Sequence, residues 1–113
     1  MNDLPNLGDL IWLDFNPQAG REQAGRRPAL VISPQSYHET TALVLVCPIT
    51  SNITPYPFKV MLPEDAPVTG AVLVDQIRSL DRNARHIAMI GSAPEQVVAE
   101  VQAKLAALLG MAF

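Results

Sequence analysis

Ten prolines lie between Pro5 and Pro94 of this 113-residue chain, and they restrict its architecture more than any other feature. Each fixes φ and removes a backbone donor, so no long helix can run through the first four-fifths of the sequence. What remains between the prolines is a series of short aliphatic and β-branched runs. Leu10 to Phe15 (LIWLDF) reads as a strand stopped by Asn16-Pro17, and Pro28 to Ser33 (PALVIS) as a second stopped by Pro34. Thr41 to Thr50 (TALVLVCPIT) reads as a third, and its unbroken apolar stretch implies burial on both faces. Phe58 to Leu62 alternates weakly, and Pro55 and Pro57 place it at a sheet edge or just after a loop. Ala71 to Ile77 and His86 to Ile90 complete five or six strands. Short strands separated by turn signals every ~8–12 residues point to an antiparallel barrel or sandwich.

Near Pro94 the pattern changes. Ser92-Ala93-Pro94-Glu95 has the form of a capping box, in which the serine hydroxyl and the glutamate satisfy two helix N-terminal donors. Val97, Val98, Val101, Leu105, Leu108 and Leu109 then recur at helical spacing, with Glu100, Gln102 and Lys104 opposite and Gly110 placed to end the helix. One amphipathic helix packed on the barrel is the expectation. With 49% hydrophobic and 17% charged residues, the chain can build a core and is read as a single domain over 1–113. The longest apolar run, Ala42 to Ile49, is far too short to span a bilayer, so no membrane association is expected. Met1 to Pro5 has no leader-like pattern, and the single cysteine, Cys47, sits in an apolar run. Both fit a cytoplasmic protein with a buried, reduced thiol.

The net charge of −3 argues against a nucleic-acid binder, but the cations are unevenly distributed. Six of the eight are arginines: Arg21, Arg26 and Arg27 in one segment, and Arg78, Arg82 and Arg85 in another. The guanidinium fork matches phosphate in a way the lysine ammonium does not, so a local anion site on an acidic body is one reading. Solvated loop charges paired with Glu22, Asp75 and Asp81 are the other. The segment from Asn16 to Arg27 is polar, has two glycines and is much longer than a hairpin turn requires. Loops of that kind are commonly functional, and this one delivers a carboxylate and three guanidinium groups to one place. Arg27 stands directly before Pro28, so its backbone is anchored by the following strand.

No serine–histidine or cysteine–histidine arrangement and no cluster of carboxylates is apparent, and no cofactor or metal is expected. His38 lies in a polar connection and reads as a surface residue, while His86 reads as the start of a strand. Trp12 reads as core, and Tyr56, between two prolines, as the better candidate for stacking on a base.

Gly8 to Phe15 (GDLIWLDF) followed by Gly20 to Ser33 (GREQAGRRPALVIS) resembles the opening of the MazF/PemK toxins. Pro48-Ile49-Thr50-Ser51 resembles that family's second motif, and Asp75 to Asp81 (DQIRSLD) its third. The resemblance implies a mainly β fold, a small SH3-like antiparallel barrel of five to seven strands with a C-terminal helix. It also implies a homodimer that cleaves single-stranded RNA sequence-specifically and without a metal, neutralised by a cognate MazE-like antitoxin. Carried over by motif, Arg27 and Thr50 are the central catalytic pair, and Glu22 is the base candidate. Arg27 would stabilise the phosphorane through its fork, and Thr50 would bond a nonbridging oxygen or orient the 2′-OH. Arg21, Gln23, Arg26, Ser51, Tyr56, Asp75, Gln76, Arg78 and Arg85 are the expected RNA-binding residues. Asp75 and Arg78 could equally form an ion pair within the chain. Some members carry histidine in place of Arg21 and some carry arginine in place of Leu73, so this chain is expected either to lean more on Glu22 or to cleave more slowly. Two other classes share such a barrel: a CcdB-like toxin that binds DNA gyrase without catalysis, and a non-catalytic RNA-binding module.

Overall fold

The structure, a computed structural model, describes residues 4–16 and 20–111. Pro17, the expected stop of the first strand, therefore lies outside the described residues, as do Gln18 and Ala19 of the long loop. Among the described residues there are seven strands and two helices. The strands are β1 (Asp9–Asp14), β2 (Arg26–Val31), β3 (Leu43–Thr50), β4 (Lys59–Met61), β5 (Ala71–Leu73), β6 (Arg78–Asp81) and β7 (Ala88–Ser92). Helix α1 (Gln35–His38) is a single turn between β2 and β3, and α2 (Glu95–Leu108) follows β7.

All pairings are antiparallel, in the order β4-β5-β3-β2-β1-β7, with β6 also paired to β3. Strand β3 is the hub. Leu43 to Val46 pair with β6, whereas Ile49 and Thr50 pair with β5, and the change of partner falls at Cys47-Pro48. A proline cannot donate to a ladder, so it is tolerated where a strand leaves one partner and bends toward the next. This bend gives the small barrel its corner and sends the end of β3 out to a new neighbour.

The core has two parts. Leu10, Leu30, Cys47, Ile49, Val72 and Val74 pack with Val97, Val101 and Leu105 of α2. Ile11, Leu13, Phe15, Ala29, Val31, Val44, Val46 and Leu80 fill the other side. The alternation of Leu10 with Ile11, and of Leu30 with Val31, between the two clusters follows from the two-residue period of a strand. Strand β3 is buried on both faces only from Val46 to Thr50; at its start Leu43 is exposed and Leu45 half-buried.

Several local expectations are corrected. The capping box does not form: Ser92 is the last residue of β7, Pro94 holds the N-cap position, and no side chain caps α2. The helix stripe is shorter than its pattern, because Leu108 and Leu109 are exposed beyond the last contact with the barrel. Gly110, at φ +75, does end the helix, with its amide on the Ala107 carbonyl and the Met111 amide on the Ala106 carbonyl. The run Ala71 to Ile77 stops as a strand at Leu73 and turns through a 3-10 segment, Val74–Gln76. The sequence reading missed β6 altogether, since RSLD is polar at three of its four positions. His86 is not in a strand; it adopts φ 52 ahead of β7.

His38 is not a surface residue but is 2% exposed. Its Nδ1 lies 2.7 Å from the Pro5 carbonyl oxygen and its Nε2 lies 2.6 Å from Ser33 Oγ. A carbonyl can only accept, so Nδ1 carries a proton; the serine oxygen at Nε2 also accepts from the Leu45 amide at 2.9 Å. Cys47 is buried as expected, and burial, with Asp75 nearby, pushes its thiol from 9.0 up to about 12.

Candidate active site

Extending the β2–β3 register (Ala29 opposite Pro48) by two residues brings Arg27 opposite Thr50. The side chains confirm that closeness: Arg27 Nη1 donates to the Ile49 carbonyl at 3.5 Å and Nε donates to the Ala24 carbonyl at 2.9 Å. Two arms of the fork are therefore held by the protein, and among the described residues none takes Nη2. Thr50 is 6% exposed, and its Oγ1 accepts from the Asn52 amide at 3.1 Å. The hydroxyl proton is thus available to a further acceptor.

These two residues line an open cleft of about 540 Å³, together with Trp12, Arg26, Pro28, Ile49, Ser51, Pro67, Val68 and Thr69. Its described lining contains no carboxylate, cysteine or histidine. Gly70 closes up against it: at φ +125, a Cβ there would stand 2.3 Å from the Thr50 carbonyl oxygen. Only glycine allows β5 to approach the end of β3 this nearly.

The segment after Thr50 is pinned from outside. Lys59 Nζ donates to the carbonyls of Asn52 and Thr54, each at 2.8 Å, and the Thr54 amide donates to Asn52 Oδ1 at 3.0 Å. Tyr56 is exposed, but its hydroxyl donates to Asp75 Oδ2 at 2.7 Å and its ring tilts against Phe58. That hydrogen bond to Asp75, with the carboxylate's charge, raises the Tyr56 pKa. Tyr56 does not line the cleft; the aromatic residue that does is Trp12, 39% exposed where a core residue was expected. The sequence signal for Trp12 existed only in the pairing, which sets it beside Pro28 and Ala88 rather than beneath a bulky neighbour. Pro67 to Thr69 carried no signal at all.

The remaining candidates lie around the cleft. Gln76 Oε1 accepts from the Gln23 amide at 3.0 Å, and its Nε2 donates to the Arg21 carbonyl at 3.5 Å, so the third motif holds the loop that bears Glu22. Glu22 is exposed on that loop and is not part of the cleft lining. Arg78 donates to the Phe15 carbonyl at 3.0 Å and lies 5.8 Å from that residue's ring centroid. Asp75 takes the Tyr56 hydroxyl and Arg78 the Phe15 carbonyl, contacts other than the Asp75–Arg78 ion pair that was one of the two alternatives. Arg85 donates to the carbonyls of Asp14 and Asn16, Arg26 to that of His86 at 2.7 Å, and Arg82 to those of Thr41 and Leu43. Arg78 and Arg85, distant in sequence from Arg26 and Arg27, thus gather with them around the end of β1 and the start of β2. Among the described residues no group of three His, Cys, Asp or Glu side chains is placed to hold a metal.

Residues 6–109 match the family of PemK-like, MazF-like toxins of type II toxin-antitoxin systems. The chain belongs to that family. It is 39% identical over 107 residues to the endoribonuclease toxin MazF of Escherichia coli K12, covering 95% of this chain and 96% of that relative. The fold agrees: the crystal structure of MazF from Deinococcus radiodurans superposes with a TM-score of 0.93 at 51% identity, covering 97% of this chain and all of that one. A MazE-MazF complex from the same organism gives 0.87 at 50% identity, covering 98% of this chain and 100% of that one. Membership accounts for the seven-stranded antiparallel sheet with its C-terminal helix.

Proposed function

We propose that this member of the family is an endoribonuclease toxin that cuts single-stranded RNA at specific sequences, without a metal, using the 2′-OH of the RNA as nucleophile. The observation that carries this reading is that the Arg27 guanidinium and the Thr50 hydroxyl line one open cleft, where the described lining residues include no carboxylate or imidazole. In the proposed reaction the 2′-oxygen attacks phosphorus, its proton passes to a base, the P–O5′ bond breaks, and the 5′-oxygen takes up a proton. The products are a 2′,3′-cyclic phosphate and a 5′-hydroxyl. Arg27, braced through Nε and Nη1, presents Nη2 to the phosphorane, where charge accumulates in the transition state. It does not act as the acid, because a guanidinium does not give up its proton in a protein. Thr50 donates to a nonbridging oxygen or orients the 2′-OH. Glu22 is the base we assign; the Arg27 bond to the Ala24 carbonyl ties its loop to the catalytic guanidinium.

Partner and setting follow the same reading. A cognate antitoxin, of the kind found with MazF in the Deinococcus radiodurans complexes, would present an acidic or amphipathic segment to the arginines that RNA needs. We place the toxin in the cytoplasm as a homodimer, with Leu108, Leu109 and Met111 at the end of α2 supplying exposed apolar surface for a second copy. A single monomer boundary in sedimentation velocity would refute the dimer.

The test of the activity is incubation of the purified protein with a long unstructured RNA in EDTA, beside Arg27→Ala and Thr50→Ala, with fragment ends mapped. Discrete cuts ending in cyclic or 3′-phosphate, reduced roughly 100-fold or more in both variants, are expected. Intact RNA in the presence of folded wild-type protein would overturn the reading.

A further inference from the structure

We infer that Trp12 is a stacking platform for one base of the RNA in the cleft, an inference that rests on the ribonuclease reading above. Its place in the fold argues for this. Trp12 sits in the middle of β1, a strand paired on both sides, so its backbone is held as rigidly as any in the molecule. Ile11 and Leu13 on either side of it are 0% exposed, yet Trp12 keeps 39% of its surface open. The cause is the register. Its partner on β2 is Pro28 and its partner on β7 is Ala88, and neither side chain is large enough to cover an indole. The ring is thus flanked by low walls, in the same cleft as Arg26, Arg27 and Thr50.

That combination suits a single-stranded nucleic acid. Guanidinium groups track the phosphates, and an aromatic face fixed on a strand receives a base with little loss of side-chain freedom. Tyr56, the other exposed aromatic near the third motif, has its hydroxyl committed to Asp75 and stands outside the cleft. Stacking is tolerant of base identity, since every base has a π-face. Trp12 therefore supplies affinity and position, while the choice of sequence is made by polar groups elsewhere in the cleft.

Trp12 is the one tryptophan of the chain, so its fluorescence reports on this site alone. The probe is a 2′-O-methyl RNA of the mapped cleavage sequence, which cannot supply the attacking hydroxyl, carrying a 5′ fluorescein for anisotropy. Titration of the wild-type protein should change the indole emission with the same midpoint as the anisotropy. Trp12→Leu should raise KM by roughly 5- to 150-fold, the loss of one base–aromatic stack, with kcat within about threefold and the cut sites unchanged. Trp12→Phe should recover part of the loss, which a merely destabilised protein would not do. Binding by anisotropy without any change in indole emission would overturn the inference, as would an unchanged KM in Trp12→Leu. So would an indole already shielded from acrylamide in the free protein, because a second copy would then be covering it. Failure of the wild-type protein both to bind the probe and to cleave RNA would instead refute the ribonuclease reading itself.

Discussion

Cys47 and His38 show how this barrel accommodates buried polar side chains. His38 is satisfied by the Pro5 carbonyl on one ring nitrogen and the Ser33 hydroxyl on the other, so it stitches the N-terminal segment to the β2–β3 connection. Cys47 donates to the Val74 carbonyl at 3.9 Å and stays a neutral thiol because burial penalises the thiolate. The pH consequence follows from the sign of the shift. With a folded pKa of about 12 against an ordinary 9.0, the native state holds its proton where the unfolded chain releases it. The stability this contributes is complete below about pH 9 and is lost as pH rises toward 12. Thermal unfolding of Cys47→Ala should therefore be flatter between pH 8 and pH 11 than that of the wild type, even though the variant is less stable at neutral pH. Parallel curves would show that the thiol does not titrate on unfolding.

The end of β3 depends on a neighbour that comes too near for any side chain. Gly70→Ala forces a Cβ against the Thr50 carbonyl and strains a backbone at φ +125, so a loss of roughly 1–3 kcal/mol or more is expected in urea unfolding. RNA cleavage should fall further than stability accounts for, because the displaced residue is Thr50. Gly20→Ala, where nothing lies within 4 Å of the added carbon, should cost about 1 kcal/mol through its φ alone. A Gly70→Ala protein as stable as the wild type would refute the close approach. This contact also marks the limit of what the sequence discloses. Proline punctuation and apolar runs located β1 to β5 and α2, since those elements answer to local periodicity. They did not reveal β6, which is polar and exists because β3 offers it an edge. Nor did they exclude a capping box at Ser92, whose residues met the pattern but were already used by β7. At the site, Arg27, Thr50 and Arg26 were legible from their motifs. Trp12 was not, because its exposure is decided by the partners that register puts beside it.

Across the described residues, every strand except β4 and β7 pairs through β3 or β2, and most pairings link residues far apart in sequence. Such a barrel needs its connections braced. Five of the six arginines do this, each donating to backbone carbonyls: Arg26, Arg27, Arg78, Arg82 and Arg85. A carbonyl oxygen satisfies a guanidinium donor without cancelling its charge, as a carboxylate would. Around the end of β1, four guanidinium groups are consequently held in fixed positions on a protein whose net charge is −3. For cleavage this predicts a steep dependence on salt. With phosphate contacts from Arg26 and Arg27 alone, log kcat/KM should fall with log salt at a slope of about −1.4. A flat profile between 50 mM and 300 mM NaCl would contradict it. The braces that shape the barrel also set its electric field, so a substitution that replaced one of them with a neutral hydrogen-bond donor could preserve the fold while dimming the signal that draws a polyanion to the cleft.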